Sequence, residues 1–105
     1  MNTQDVRIAR QLKEAIANIT PVLDFRVFGS RARGNSGDYS DLDIFLKIDD
    51  VTKETKEAIY HCAWKMSLQS GVFISVLIFT RFELEHTPLR SSDIVDNIMR
   101  EGVLL

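Results

Sequence analysis

Two runs of β-forming residues are separated by a loop rich in glycine and serine, and this arrangement limits the folds open to the chain. The first run, Val22–Phe28, is ended by Gly29, and the second run covers Leu42–Ile48. Residues 29–40 contain three glycines, three serines and one asparagine, which favours a loop with one helical turn after Ser30. The sequence therefore predicts a strand, a loop and a second strand in this order.

Helical periodicity accounts for much of the remaining chain. Apolar residues at steps of three and four near the start predict an amphipathic helix over 3–19, which is ended by Pro21. A second helix is predicted over 52–69, followed by a third strand over 72–80 and a helical turn over Arg81–His86. Helices and strands are thus mixed along the chain, as in a two-layer α/β protein.

A last helix is predicted near the C-terminal end of the sequence. Ser91 or Ser92 provides its N-cap, and Gly102 ends it. Its inward-facing residues are expected to be Ile94, Val95, Ile98 and Met99. The predicted order is α-β-β-α-β-α-α, and 105 residues are expected to form one domain over residues 1–105. The expected fold class is α/β (α+β), with three strands covered by helices.

Composition and charge indicate a globular protein with no general affinity for nucleic acid. Hydrophobic residues make up 45% and charged residues 27% of the chain, and the formal net charge is −2. A single cysteine, Cys62, excludes an internal disulfide. The N-terminal residues are too polar for a signal peptide, and the longest apolar run, 72–79, is too short to span a bilayer. We therefore expect a cytoplasmic protein that binds no membrane and no nucleic acid strongly.

The triplet Asp41-Leu42-Asp43 begins the second predicted strand. Alternate strand residues point to the same face, so the two carboxylates project together while Leu42 faces the other way. Two such charges repel one another unless a cation lies between them. Paired carboxylates suit Mg²⁺, which also takes water and phosphate oxygens as ligands. Asp41 and Asp43 are therefore candidate metal ligands and catalytic residues, with solvated strand ends as the simpler interpretation of this triplet alone.

The pair Gly29-Ser30 ends the first predicted strand and is a candidate phosphate-binding site. Glycine lets a phosphate approach the backbone, and the N–H groups at the start of a helical turn, with the Ser30 hydroxyl, donate to an anion. Arg31 and Arg33 add positive charge, and one of them can neutralise phosphate. Alone the pair is typical of a turn. Combined with the two carboxylates in strand–loop–strand order, it indicates phosphoryl-transfer chemistry.

The segments 28–34 and 40–46 read Phe-Gly-Ser-Arg-Ala-Arg-Gly and Ser-Asp-Leu-Asp-Ile-Phe-Leu. Together they resemble the signature of the minimal nucleotidyltransferases, a branch of the DNA polymerase beta-like superfamily, in which Gly-Ser is followed after about ten residues by Asp-X-Asp. The resemblance implies a small mixed sheet with flanking helices. It also implies Mg²⁺ (or Mn²⁺) as cofactor and ATP or another NTP as substrate. Many such proteins are antitoxins paired with a HEPN-domain ribonuclease toxin, and some transfer AMP to that toxin.

The third predicted strand departs from the pattern of the active members, which carry a third carboxylate there. Residues 71–80 contain no acid, and Ser75 stands where that acid is expected. A serine neither binds metal well nor acts as a base at neutral pH. Glu83 is the candidate replacement from the following turn, with Glu85 as the other choice. Two hypotheses therefore stay open: an active nucleotidyltransferase, and a catalytically weak nucleotide-binding antitoxin that blocks its toxin by occlusion.

The helix over 52–69 carries two apolar sides. Ile59, Cys62, Ala63 and Met66 form one of them, and a second line follows at four-residue spacing through Tyr60, Trp64 and Leu68. Two apolar sides on one helix indicate either a deep position or a protein–protein interface. The apolar tail 103–105 is a further candidate interface. A HEPN-domain partner and a homodimer are the expected assemblies.

Overall fold

A four-stranded mixed sheet forms the centre of the computed structural model, which describes residues 1–34, 37 and 40–105. Its strands are β1 (Val22–Phe28), β2 (Leu42–Ile48), β3 (Ile74–Thr80) and β4 (Val103–Leu104). Their spatial order is β3-β2-β1-β4. β1 pairs antiparallel with β2 and β4, whereas β2 and β3 are parallel. The parallel pair requires a crossover, which the long helix between β2 and β3 provides.

Five α-helices and one 3-10 turn flank the described part of this sheet. They are α1 (Thr3–Ala17), α2 (Gly29–Arg33), α3 (Lys53–Ser70), α4 (Arg81–His86), the 3-10 turn Pro88–Ser91 and α5 (Asp93–Glu101). Side-chain N-caps begin four of the α-helices, because Asn2, Thr52, Thr80 and Ser92 each accept from a backbone N–H in the following turn. The predicted helices and strands are therefore confirmed in type and order, with ends displaced by no more than two residues.

The two faces of the sheet are covered differently. Side chains at 25 and 27 of β1 and at even positions of β2 and β3 pack against α1 and α3 and form the main core. The side chains of this core are Ile8, Ala9, Leu12, Ile16, Phe25, Val27, Leu42, Ile44, Leu46, Ile48, Ile59, Ala63, Ile74 and Val76. On the opposite face, Phe45, Val95 and Ile98 are buried outside this cluster. α5 therefore covers only part of the second face, where Asp43 and Ser75 also point.

The sequence prediction missed β4. Val103 pairs with Val27 and Leu104 with Arg26, so the apolar tail lies along the edge of β1. Lys13 Nζ donates to the backbone oxygen of Leu105 over 2.6 Å and ties the chain end to α1. A two-residue strand has no periodicity to read, which explains the omission.

One prediction about a helix face needs correction. In α5, Val95 and Ile98 are buried as expected, but Ile94 and Met99 are 49% and 38% exposed. α5 therefore buries a narrower stripe than its sequence indicates, because only part of the sheet lies beneath it. The prediction that Ile94 and Met99 face inward is wrong.

The second apolar line of α3 lies on the protein surface. The exposed fractions of Tyr60, Trp64 and Leu68 are 43%, 59% and 66%, and Phe73 beside them is 63% exposed. With neighbouring residues, Trp64, Leu68 and Phe73 line a groove of about 420 Å³. Of the two interpretations of this helix, the deep position is therefore excluded.

Within residues 1–34, 37 and 40–105, no helix combines the length and the apolar character needed to cross a membrane.

Candidate active site

The end of β1 and the beginning of β2 lie side by side and bring the two predicted motifs together. Phe28 is the register partner of Asp43, so Gly29 follows directly beside this carboxylate. Gly29 has a φ of +78°, which favours glycine, and a Cβ at this position would collide with Asp43 Oδ2. The antiparallel pairing therefore places the Gly-Ser segment against the Asp-X-Asp segment, as the strand–loop–strand hypothesis requires.

Asp41 and Asp43 are two residues apart at the beginning of β2, with Asp41 exposed and Asp43 half-buried. Burial raises the pKa of Asp43, the nearby charge of Asp41 raises it further, and Arg33 lowers it. Ionised Asp43 is therefore held in an unfavourable environment unless positive charge is supplied. A divalent cation supplies it, and the donor set of two hard carboxylate oxygens fits Mg²⁺ or Mn²⁺.

Ser75 occupies the position on β3 next to Asp43. The parallel register pairs Asp43 with Ser75 and Leu42 with Ile74. Paired residues of neighbouring strands point to the same face, so the Ser75 hydroxyl is directed to the side of the sheet that carries the two carboxylates. Among the described residues, no group of three or more His, Cys, Asp or Glu side chains is arranged to hold a metal. The position expected for a third acid is thus on the correct face but holds a hydroxyl.

Glu83 does not replace the missing acid. It follows β3 at the end where Thr80 pairs with Ile48, whereas Asp43 lies five residues earlier on β2, about 17 Å away along the strand. The Glu83 carboxylate accepts from the Thr80 N–H over 3.0 Å and completes a capping box of α4. Glu85 lies on the same helix. The prediction of Glu83 or Glu85 as the third acid is therefore wrong, because the strand direction carries both residues away from the site.

α2 begins at Gly29, directly beside the carboxylates. Its N-cap, Phe28, offers no side-chain hydrogen bond, and the first N–H groups of a helix have no partner inside the helix. A phosphate oxygen can accept from such groups, and Ser30 adds a hydroxyl in this first turn. The predicted helical turn is present and covers Gly29–Arg33, so Gly29 and Ser30 lie in its first turn.

The Arg31 side chain is bonded within the protein and is not free for the predicted contact with phosphate. Its side chain is buried; Nη1 donates to Asp5 Oδ1 over 2.9 Å, and Nε donates to the backbone oxygen of Ser40 over 2.7 Å. The guanidinium thereby connects α1 with the residue that precedes Asp41. Arg31 supports the carboxylate segment from behind, and its assignment as a nucleotide-binding residue needs correction.

Arg33 is the arginine that faces the site. Its side chain is 49% exposed, Nη1 lies 4.0 Å from Glu101 Oε2, and its charge acts on Asp43. An exposed pair at this distance stabilises a protein very little, so Arg33 can turn to another anion at low cost. Of the two predicted arginines, Arg33 alone keeps a position suited to phosphate.

The sequence analysis did not identify Asp5 as a buried partner of Arg31, because charged helix residues are normally assigned to the solvent side. It lies in the first turn of α1 and is only 1% exposed. A signal was available in the sequence, since residues 5, 8, 12 and 16 follow the three- and four-residue steps of one helix face. An acid at the beginning of an otherwise apolar stripe predicts a buried partner.

Comparison with protein families identifies the fold that carries this site. A family described as "Nucleotidyltransferase domain" matches residues 9–105. The chain belongs to the nucleotidyltransferase domain family. Among curated proteins, none matches this chain. The nucleotidyltransferase family inferred from the motifs in residues 28–46 is therefore confirmed for this chain.

Solved structures agree on the architecture of this nucleotidyltransferase domain. A toxin–antitoxin pair crystallised with AMP-PNP is 18% identical with a TM-score of 0.59, and the alignment covers 96% of this chain and 68% of the other. A mutant of the toxin–antitoxin MntA-HpeT gives 20% identity and a TM-score of 0.61 over 100% of this chain and 72% of the other. A protein from Sulfolobus solfataricus, provisionally assigned as a nucleotidyltransferase, is 21% identical with a TM-score of 0.53. That alignment covers 96% of this chain and 81% of the other. At these identities the likeness establishes the fold.

Proposed function

We propose that the protein is a Mg²⁺-dependent nucleotidyltransferase that transfers a nucleotidyl group, AMP from ATP, to an acceptor on a partner toxin. The observation that carries the proposal is the contact between Gly29 and the Asp43 carboxylate, beside Asp41. It joins a phosphate-binding turn to a pair of metal-binding acids, which are the two components that phosphoryl transfer needs. Family membership supports the same reaction class.

Some of the site residues would bind the metal, and others would bind the phosphates. Asp41 and Asp43 would hold the metal, which supplies charge neutralisation for the phosphates. The Ser30 hydroxyl and the first N–H groups of α2 would donate to phosphate oxygens, and Arg33 would approach from the other side. An acceptor hydroxyl then forms a bond to the α-phosphorus as the bond to pyrophosphate breaks. Because Ser75 is a poor base at neutral pH, the acceptor proton passes to solvent, and we expect slow turnover.

The reaction is tested by incubating the protein with α-labelled ATP, Mg²⁺ and the protein that its neighbouring gene encodes. The test variant is the double substitution Asp41→Asn, Asp43→Asn. The matched control is Asp49→Asn, Asp50→Asn, which removes the same charge from two exposed acids just beyond the other end of β2. We expect label transfer to be lost in the first variant and retained in the second. Transfer that persists without Asp41 and Asp43 would refute the proposal.

A second candidate function is neutralisation of the toxin by occlusion, with a catalytically weak nucleotide site. Ser75 beside Asp43 favours it, because a third carboxylate is missing at that position. Under this hypothesis the double Asp41→Asn, Asp43→Asn variant still protects cells from the toxin. Loss of protection in a variant that still binds the toxin would reject occlusion and leave transfer as the mechanism.

The proposed partner is a HEPN-domain ribonuclease toxin, with a second copy of this chain as the alternative. Two of the structurally similar proteins were crystallised as toxin–antitoxin pairs. The exposed groove around Trp64 and Leu68 provides an apolar surface of the kind that partners bury. Sedimentation of the protein alone and with the toxin separates the assemblies. A Trp64→Ala, Leu68→Ala variant that assembles as the wild type does would exclude this groove as the contact.

A further inference from the structure

A small pocket lies beside the phosphate-binding turn on the α5 side. Its volume is about 190 Å³, and it is lined by Phe28, Gly29, Arg33, Ile94, Asn97, Ile98 and Glu101. One wall is therefore the Gly29 segment itself, and the other wall is α5. The pocket shares Gly29 with the carboxylate site, because the same glycine contacts Asp43. A ligand anchored at Ser30 and the two acids thus has this pocket next to its phosphates.

The pocket is too small for a whole nucleotide. Pockets that hold complete small-molecule ligands usually measure about 300–1,000 Å³, so this one fits a single ring system. Its lining is apolar on two sides, with Phe28 at the end of β1 on one side and the buried Ile98 of α5 on the other. Ile94 adds an aliphatic side chain that is 49% exposed and that no packing in the described core requires. These surfaces suit the faces of a flat aromatic ring.

The polar groups of the pocket suit the edge of such a ring. Asn97 Oδ1 accepts from Arg100 Nη2 over 2.6 Å, which orients the amide and leaves the Nδ2 group to donate. Arg33 lines the pocket and its charge also acts on Asp43, so it is available to the phosphates of a nucleotide bound at the carboxylates. Glu101 lines the pocket as well, with Oε2 4.0 Å from Arg33 Nη1. The pocket therefore combines an apolar slot, an amide donor and a cation that is paired with the Glu101 carboxylate.

We propose that this pocket binds the nucleobase of the nucleoside triphosphate, with Ile94 against the ring face and Asn97 donating to a ring nitrogen or carbonyl. The proposal rests on the function proposed above, in which the Gly29–Asp43 site binds an NTP. It gives α5 a role in ligand recognition in addition to its role in packing. It also explains why Ile94 is exposed, although its neighbours Val95 and Ile98 are buried.

The test compares ATP with inorganic tripolyphosphate, each titrated calorimetrically into the protein with Mg²⁺. Tripolyphosphate has the phosphates but neither ribose nor base, so a loss of ATP affinity that tripolyphosphate does not share reports the nucleoside part of the ligand. We expect ATP to bind more tightly to the wild type. In Ile94→Ala and Asn97→Ala we expect ATP affinity to fall about threefold to tenfold, as for one lost contact, with tripolyphosphate affinity unchanged.

Met99→Ala is the matched control for Ile94→Ala. Met99 is an exposed apolar residue of the same helix and does not line the pocket. Its substitution should leave both affinities unchanged. Equal affinities of wild-type protein for ATP and tripolyphosphate, or variants that weaken both ligands alike, would overturn the base subsite and leave the phosphate site standing. Failure of both ligands to bind at all would instead refute the proposed function on which the subsite rests.

Discussion

Two charged clusters flank the same loop and differ in how their charges are compensated. Arg31 and Asp5 form an ion pair of opposite sign, 2.9 Å apart and almost completely buried. Asp41 and Asp43 are charges of the same sign at the edge of solvent, and burial together with Asp41 raises the pKa of Asp43. The first cluster completes its own interactions within the fold, whereas the second sets two like charges side by side, with Arg33 as the cation that acts on Asp43.

The contrast separates charges that support the fold from charges that we propose bind a metal. A buried ion pair is destabilising to break, because one charge is then left without a partner in a medium of low polarity. A pair of like charges destabilises the protein slightly until metal binds. The two clusters are physically connected, since Arg31 also holds the backbone oxygen of Ser40, next to Asp41. Four substitutions test this division, with effects that decrease in size.

The largest effect is expected for Asp5→Ala, which leaves Arg31 buried without its carboxylate. The free energy of unfolding should fall by about 3–5 kcal/mol, measured by chemical denaturation. Asp96→Ala is the control, because its ion pair with Arg100 is exposed and should contribute less than about 1 kcal/mol. A loss for Asp5→Ala as small as that for Asp96→Ala would contradict the structural role of the buried pair.

Gly29→Ala should have the next largest effect, because it combines backbone strain with a collision against Asp43 Oδ2. The positive φ alone costs about 1–2 kcal/mol. Gly34→Ala isolates that term, since Gly34 has the same φ of +78° and an added Cβ meets no described atom within 4 Å. We expect Gly29→Ala to be less stable than Gly34→Ala and to lose Mg²⁺ binding. Equal stabilities would show that the close approach of Gly29 to Asp43 is unimportant.

Asp43→Asn should stabilise the protein when metal is absent. A carboxyl whose pKa is raised in the folded state favours folding in its protonated form, and that contribution is lost as pH rises through the raised pKa. The gain from Asp43→Asn should therefore be present at pH 7 and shrink as pH falls towards 3.8, the ordinary pKa of the group. Thermal unfolding with EDTA across this range measures it, with Asp49→Asn as the charge-matched control. A gain that grows on acidification would contradict the raised pKa.

With Mg²⁺ present, the wild type should become more stable than Asp43→Asn, because ligand binding stabilises the wild type and not the variant. The same competition between protons and metal predicts that Mg²⁺ affinity of the wild type declines on acidification. The decline should begin at a higher pH than the ordinary aspartate value would give. A melting temperature that is insensitive to Mg²⁺ at pH 7 would contradict metal binding by Asp43.

Ser75→Asp should have the smallest effect on stability and is the most informative for turnover. It places a third carboxylate at the register position of Asp43, which should lower stability slightly without metal and raise Mg²⁺ affinity several-fold. Ser75→Asn is the control of equal size without charge. If nucleotidyl transfer becomes faster only in Ser75→Asp, the missing acid limits the natural rate. Unchanged metal affinity in this variant would show that Ser75 lies outside the coordination sphere.

The sequence predicted the secondary structure well because most elements have strong local signals. The β-forming residues in Val22–Phe28 and Leu42–Ile48, with the glycine that follows the first run, place both strands at their observed bounds. The spacing of Gly29-Ser30 and Asp41-Leu42-Asp43 likewise indicates the nucleotidyltransferase family to which the chain belongs. These features depend on neighbours in sequence, and local propensity and chirality decide them. β4 lacked such a signal, since two residues become a strand only through pairing with β1.

Contacts between distant segments were decided by the tertiary structure alone. Arg31 and Arg33 are two residues apart and chemically alike, yet one is buried against Asp5 and the other faces Asp43. The direction of β3 removed Glu83 from the site. The sequence by itself determined which residues are candidates for binding phosphate and metal, because candidacy depends on side-chain chemistry and local conformation. Only packing decided which of them meet, because burial and strand register depend on residues far away in the chain.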